Sequence, residues 1–559
     1  MKYFFIFLVA FFVVVTACDS VNDIVIETPA EGSFLEANLP VEVRVHAKEG
    51  PLVINGVQYK SKKVTTQLEP VDGLGFIKAE KPGQKLFTVR SYLQGHFFDP
   101  RAFQSNTVQT HLGIEILEHR PVSFSSLCEE MMVEEELVEY MPNPLVVETE
   151  IAFVPVTIEV TATSVVAHGI DVQLRFDREK LLFSSHLSNV QIYYRSQVAG
   201  LSGSGQAFYD WMNIEGELQL SINDSDLVNM SAQASVPRIL DDGGIPQAAL
   251  SLITNRLDEA VTEAIITTTR NASRMVFHQM MTTLVPQVAL EFEHPITQAT
   301  RAHDVRVVNN GIFVSYETQV QARTPLVSGP GAGVLARVHA DAPFDGGMSI
   351  TFGSSLVNQI AFAMWDAGNA AEKTYTRAQL YDLGMERLGG YYERLKRSTI
   401  NLRLPPVLEW SVDGPWFVIG GIEITMEIEG DEKTMANTAS RVPIAFRQED
   451  NAIVLIRDPT REVVIYDVGF DRMSDMVDPN KVVRLLRTAV PGVVSDLFST
   501  FPVVRMTATQ LPRLNGDPGP VVQTKLQSVE TCDGFWRLHL DFERISSSRY
   551  ISRNQPVLQ

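Results

Sequence analysis

Apolar and polar positions alternate over much of this chain. Val41, Val43 and Val45 alternate with Glu42, Arg44 and His46, the two-residue period of a half-buried strand. Asn55-Gly56 between apolar neighbours is a hairpin signal. After Pro82-Gly83-Gln84, Leu86, Thr88 and Arg90 alternate with Phe87 and Val89, a strand following a turn. About seven short strands in roughly ninety residues, from Ile24 to about Leu112, predict a small sandwich. Further on, Val156, Ile158, Val160 and Ala162 repeat the pattern, as do Ile170, Val172, Leu174 and Phe176, and Leu218, Leu220 and Ile222. Ile422, Ile424, Met426 and Ile428 alternate with Glu423, Thr425, Glu427 and Glu429.

Helical spacing interrupts the strands at five places. "SSLCEEMMVEEELVEY" (125–140) is an acidic helical segment. After Asp241-Asp242-Gly243-Gly244 and Pro246, the residues Leu250, Ile253, Leu257, Val261 and Ala264 form a stripe, with Arg256, Glu259 and Glu263 away from it. A second run, Met275 to Val285, stops at Pro286. "SSLVNQIAFAMWDAG" reads as a buried helix closed by Gly368. A helix beginning at Asp478-Pro479 puts Val482, Leu485, Leu486, Ala489, Val493 and Leu497 on one side, with a bend at Pro491.

The first twenty residues follow neither period. Met1-Lys2 is a short basic start, Tyr3–Val15 is almost wholly apolar, and Val15-Thr16-Ala17-Cys18 follows. The run suits the core of a secretory signal. It resembles the lipobox of bacterial lipoproteins, which implies cleavage before Cys18 and acylation of that residue. A plain signal peptide or an uncleaved anchor is the alternative. The organisation read from the chain is a signal at 1–17, a tether at 18–22 and a first domain at 23–113. Two larger units follow, at 114–300 and 301–559.

The first domain, in "IETPAEGSFLEANLPVEVRV" and "GQKLFTVRSY", resembles bacterial immunoglobulin-like domains. From Met348 onward, "MSITFGSSLVNQIAFAMWDAG", "LPPVLEWSVDGPWFVIGGIEITMEI", "VVRLLRTAVPGVVSDLFSTFPV" and "RLHLDFERI" occur in order. This series is similar to the carboxyl-terminal half of the bactericidal/permeability-increasing protein and lipopolysaccharide-binding protein family, the tubular lipid-binding (TULIP) proteins. The stretch from "VEEELVEY" to "RMVFHQMMTTLVPQV" resembles the amino-terminal barrel of the same family. The resemblance implies a mainly β, α+β fold. An immunoglobulin-like sandwich would precede two helix-wrapped barrels joined by a central sheet, with phospholipid or another apolar lipid held between helix and sheet. The lining residues expected are Ile253, Leu257, Val261, Met280 and Leu284 in the first barrel, and Leu485, Ala489, Val493 and Leu497 in the second.

Composition narrows the function. With 47 Lys plus Arg against 67 Asp plus Glu, the net charge is -20. Counterion release therefore offers little for nucleic-acid binding, and the cationic tip that would hold lipopolysaccharide is not evident. Cys128 and Cys532 remain beside Cys18. Export would permit them to bridge, and two separate thiols are the alternative. Cys128 has no second cysteine nearby to make the disulfide that the resemblance implies inside the amino-terminal barrel.

Enzyme chemistry finds no motif. The eleven histidines are scattered, "GLSGSGQ" (200–206) lacks the nucleophile-elbow order, and "SGPGAGV" (328–334) matches neither phosphate-binding glycine pattern. Asn223-Asp224-Ser225-Asp226 lacks the spaced glycine and closing glutamate of a calcium loop. The expectation is a lipid-anchored protein of the bacterial cell envelope, at the periplasmic face or cell surface. It would be no enzyme and carry no cofactor or metal, with lipid as ligand and the membrane and an envelope protein or glycan as partners. The alternative is a structural or adhesive lipoprotein with filled barrels.

Overall fold

The computed structural model describes residues 20–545 except for isolated positions and short stretches. The longest of these are 133–137, 242–246, 285–293, 327–332, 335–346, 383–392, 513–517, and 474–500 apart from Asn480 and Val483. The protein is mainly β, with strands in several sheets and, among the described residues, three helices of eight residues or more.

The N-terminal unit is a pair of sheets, one of three strands and one of five. Val41, Val43 and Val45 point into the core between them with Ile54, Ile77 and Tyr92. Asn55 (φ 47°) and Gly56 (φ 85°) make the predicted hairpin turn, in the left-handed conformations that such a turn requires. The unit is smaller than the sequence suggests. Its strands end with Phe87–Gly95, whereas Gln104–Gly113 belongs to a seven-stranded central sheet between Gly311–Ala322 and Met348–Gly353. The boundary expected near residue 300 falls inside the strand Ile296–Val308 of that same sheet.

The expected tether is also structured. Strand β1 (Ser20–Val21) pairs antiparallel with Gly469–Met473 of the second large unit. Asn22 lies buried beside it, its amide donating to Thr88 Oγ1 at 2.9 Å and to the Phe470 carbonyl at 3.0 Å. The docking explains why Phe87–Gly95 lacks the clean alternation of a solvent-backed strand. Thr88, Val89, Ser91, Tyr92, Leu93 and Gln94 are all buried, because one face covers the sandwich core and the other meets the second unit. A Cβ on Gly469 would stand 2.7 Å from the Val89 backbone nitrogen, so only glycine permits this approach. Arg90 Nη1 pairs with Asp471 at 3.2 Å across the same junction.

The first large unit is a six-stranded sheet around a long helix. In order along the sheet run β2 (Leu145–Ile151), β3 (Val154–Asp177), β4 (Lys180–Val198), β5 (Leu201–Leu220) and β6 (Ser225–Ala234), with Arg238–Asp241 added beside β5. Helix α1 (Phe124–Met131) opens with a capping box between Ser123 and Ser126. Helix α2 (Gln247–Leu284) runs 38 residues without a break, about 57 Å. The two helical runs read from the sequence are thus one element. Its Thr and Ser positions did not interrupt it, because Thr268 and Ser273 return their hydroxyls to the helix's own carbonyls, Ala264 and Arg270.

The second large unit carries a ten-stranded sheet and helix α3 (Ser354–Asp366). Ile422, Ile424, Met426 and Ile428 face inward as their period predicts. Helix α3 is buried from Ser354 to Trp365, and its two amide side chains are paired. Asn358 Oδ1 accepts from Leu408 N at 2.7 Å, and Gln359 donates to Thr318 Oγ1 at 3.0 Å. Gly368, at φ 87°, ends it as predicted. The helix expected from Asp478 lies outside the described residues.

Candidate functional site

The interior of the first large unit is where a long apolar surface is built. Helix α2 touches both edge strands of the sheet, β2 and β6, so the sheet curls around it. At the β6 edge Arg270 fixes the helix, its Nε donating to the Leu227 carbonyl at 3.3 Å and pairing with Asp226 at 3.2 Å.

A local inversion lets strands of 24, 19 and 20 residues bend together. Along β4 the enclosed residues are Leu181, Phe183, Ser185 and Leu187, then Val190, Ile192, Tyr194, Ser196 and Val198. Two successive residues, Ser188 and Asn189, are left out of the interior, and Asn189 takes a left-handed φ of 48°. On β5 the same happens at Asp210 and Trp211, between the enclosed Tyr209 and Met212. On β3 the enclosed set shifts between Ala167 and Val172. These breaks are in register, since Ala167, Val190 and Tyr209 are successive cross-strand partners. The strands therefore turn their faces at one level, and apolar residues stay inside on both sides of it.

Ile253, Leu257 and Val261, predicted as lining, do face the sheet, and all three are at most 1% exposed. They are enclosed by protein and act here as core. Met280 and Leu284 fall on α2, but their side chains lie outside the described set. Leu485, Ala489, Val493, Leu497 and Cys18 lie outside the described residues altogether. Cys128 and Cys532 are both free thiols, so the bridge considered from the sequence is not made. Cys128 sits in the buried face of α1, where burial and then the Glu129 charge push its thiol well up. Cys532 ends a strand of the central sheet, and its thiol is raised by burial and by Glu530.

Sequence reasoning missed the polar atoms of this interior. The Ser185, Ser196 and Tyr209 side-chain oxygens and Asp258 Oδ1 are sealed from water and make no hydrogen bond. Leaving such a group unpaired costs roughly 1–3 kcal/mol each, which is why native cores contain few. Burial first, then the Asp258 charge, pushes the Tyr209 phenol far above its ordinary range. Asp258 is itself raised, by burial and then by Glu259. A signal existed for Tyr209, since "FYDWM" places two polar-facing positions between two inward ones. Asp258, one residue past Leu257 and three before Val261, had no place in the two-faced reading of the helix.

No family model matches the chain, and no curated protein matches it. Among solved structures, it is similar to a lipopolysaccharide binding protein at 11% identity and a TM-score of 0.41, over 79% of this chain and 100% of that one. It is also similar to P47 of Clostridium botulinum E1 at 6% identity and a TM-score of 0.22, over 79% of this chain and 100% of that one. For P47 of Clostridium botulinum A2 the identity is 8% and the TM-score 0.22, over 79% and 99% of the two chains. Similarity of this degree carries no function across, and the chemistry of the site follows from its own residues.

Proposed function

We propose that this chain is a membrane-anchored lipoprotein that binds phospholipid or another apolar lipid between helix and curved sheet, and transfers it. The observation that carries the reading is the interior of the first large unit. Three long strands and a helix reaching both sheet edges enclose a continuous apolar face, and that face holds polar atoms with no protein partner. A core selected for stability alone has no use for them. Because Ile253, Leu257 and Val261 are enclosed, lipid enters as α2 parts from the sheet. Apolar helix–sheet contact is then exchanged for apolar contact with acyl chains, so little apolar surface meets water during the exchange.

Acylation of Cys18 supplies the anchor in this reading, since two or more acyl chains hold a protein to a bilayer durably. No described helix is long and apolar enough to cross a membrane. The pairing of β1 with Gly469–Met473 starts two residues after Cys18. The lipid would then hold the second large unit near the bilayer, and the immunoglobulin-like unit would brace that junction instead of setting a standoff.

The test is native mass spectrometry and lipid extraction of the chain from Asp19 onward, expressed without its leader and handled without detergent. Co-purifying phospholipid, or uptake of labelled phospholipid from vesicles, is expected. Empty protein that takes up none would sink the reading. Such a result would favour a structural or adhesive lipoprotein with filled interiors, the second reading, for which the enclosure of Ile253, Leu257 and Val261 speaks. Separately, a Cys18→Ser chain is expected to lose the diacylglyceryl mass and membrane retention.

A further inference from the structure

We propose that Tyr209 and Asp258 form a recognition point for the head of the bound amphiphile, and that it selects a primary ammonium over an acidic group. The inference rests on the lipid-binding reading and adds to it the class of headgroup.

Tyr209 comes from β5 at the level where the strands turn their faces, and it is 1% exposed. Asp258 comes from α2, three residues before Val261 and seven before Ile265, both enclosed against the sheet. At helical spacing those positions share a side, so Asp258 borders the enclosed face. One of its oxygens is sealed while the residue as a whole is partly exposed. The carboxylate therefore stands between the apolar interior and water, where the polar end of an amphiphile would come to rest.

The two groups have the chemistry of a cation site. Asp258 Oδ1 can only accept while ionised, and the Tyr209 oxygen can accept as well as donate. The nearest basic residue along the helix, Arg256, is engaged with Glu259 at 2.8 Å. The Asp258 charge acts on the Tyr209 phenol, and an ammonium beside them offers three N–H donors, enough to satisfy a sealed acceptor and still meet water. A phosphomonoester, a carboxylate or a net-anionic headgroup would bring negative charge against Asp258 in a poorly hydrated setting, where like charges repel strongly. A quaternary ammonium has the charge without the donors, and so separates hydrogen bonding from simple attraction.

The full-length acylated protein, reconstituted into vesicles, is supplied with dioleoyl phosphatidylethanolamine, phosphatidylglycerol or phosphatidylcholine, and the bound lipid is quantified by extraction and mass spectrometry. Phosphatidylethanolamine is expected to exceed phosphatidylglycerol by about tenfold, the scale of one charge-assisted hydrogen bond, and phosphatidylcholine to fall between them. Asp258→Asn is expected to bring the ratio of phosphatidylethanolamine to phosphatidylglycerol from about tenfold to about one, and Tyr209→Phe to weaken it while leaving the charge in place. Thermal unfolding of both variants reports whether either has lost its fold. Uptake by the wild-type protein without discrimination, or with preference for phosphatidylglycerol, overturns the headgroup assignment and leaves lipid binding standing. A preference that survives in folded Asp258→Asn also overturns it. Absence of any bound lipid overturns both.

Discussion

The side-chain amide of Asn22 donates to the main-chain carbonyl of Phe470 at 3.0 Å, joining residues 448 positions apart. The same amide reaches Thr88 Oγ1, and Asn22 Oδ1 accepts from Ile24 N at 3.1 Å. One buried side chain thus joins the start of the chain, the N-terminal unit and the second large unit. Asn22→Ala leaves the Phe470 carbonyl and Ile24 amide short of a partner. It is expected to cost about 1–3 kcal/mol and to expose the segment before Ile24 to protease. Limited proteolysis with N-terminal sequencing checks it, and cleavage no faster than in the wild type would show that the docking does not depend on this residue.

Glu31 lies largely buried at the same junction, accepting from Ser91 N at 3.1 Å and 4.0 Å from Arg90 Nε. Burial outweighs the Ser91 hydrogen bond and the Arg90 charge and, helped by Asp471 and Glu423, raises its carboxyl from 4.5 to about 7. The folded value lies above the unfolded one. The contribution is therefore complete below about pH 4.5 and is lost as pH rises through about 7. A shift of that size corresponds to about 3 kcal/mol. Denaturant unfolding from pH 4.5 to 8 is expected to show this slope, and Glu31→Gln to flatten it. An unchanged slope in the variant would assign the pH dependence to other groups.

Tyr194 packs over Gly205 inside the first large unit. A Cβ at position 205 would stand 2.4 Å from the Tyr194 hydroxyl oxygen and 2.9 Å from the Leu240 carbonyl oxygen, leaving no direction in which to yield. Gly205→Ala is expected to destabilise by about 1–3 kcal/mol through overpacking, read as a lower midpoint in thermal or denaturant unfolding. Gly83→Ala serves as the comparison, because no atom lies within 4 Å of its Cβ direction and only its backbone angle of φ 78° resists the change.

The two free thiols differ in access. Cys128 is enclosed and its thiol is pushed well up, whereas Cys532 is partly exposed. Alkylation of the native protein near pH 8 is expected to modify Cys532 slowly and Cys128 not at all, since only a reachable thiolate reacts. Denaturation without reductant should then expose both. Peptide mapping that instead finds the two joined would contradict the packing around α1.

Local periodicity carried far into this fold. Val41, Val43 and Val45, the Ile422–Ile428 series, the Asn55-Gly56 turn and the stripe Ile253, Leu257, Val261 all declared themselves, because an inward face repeats every two or every 3.6 residues along the chain itself. Gly368 marked the end of α3 for an equally local reason, its left-handed backbone.

Other features depend on residues far apart in sequence and leave no such period. Thr88, Ser91 and Gln94 look like the solvent face of a strand and are buried only because the second large unit covers them. Ser20–Val21 looks like a linker until the edge at Gly469–Met473 accepts it as a strand. Tyr209 and Asp258 belong to a strand and a helix whose separate patterns say nothing of each other. The chain alone determined most of the strands and helices and which of their faces would be apolar. The tertiary structure decided which faces meet and which polar atoms are sealed without partners, since burial is set by what arrives from elsewhere in the chain.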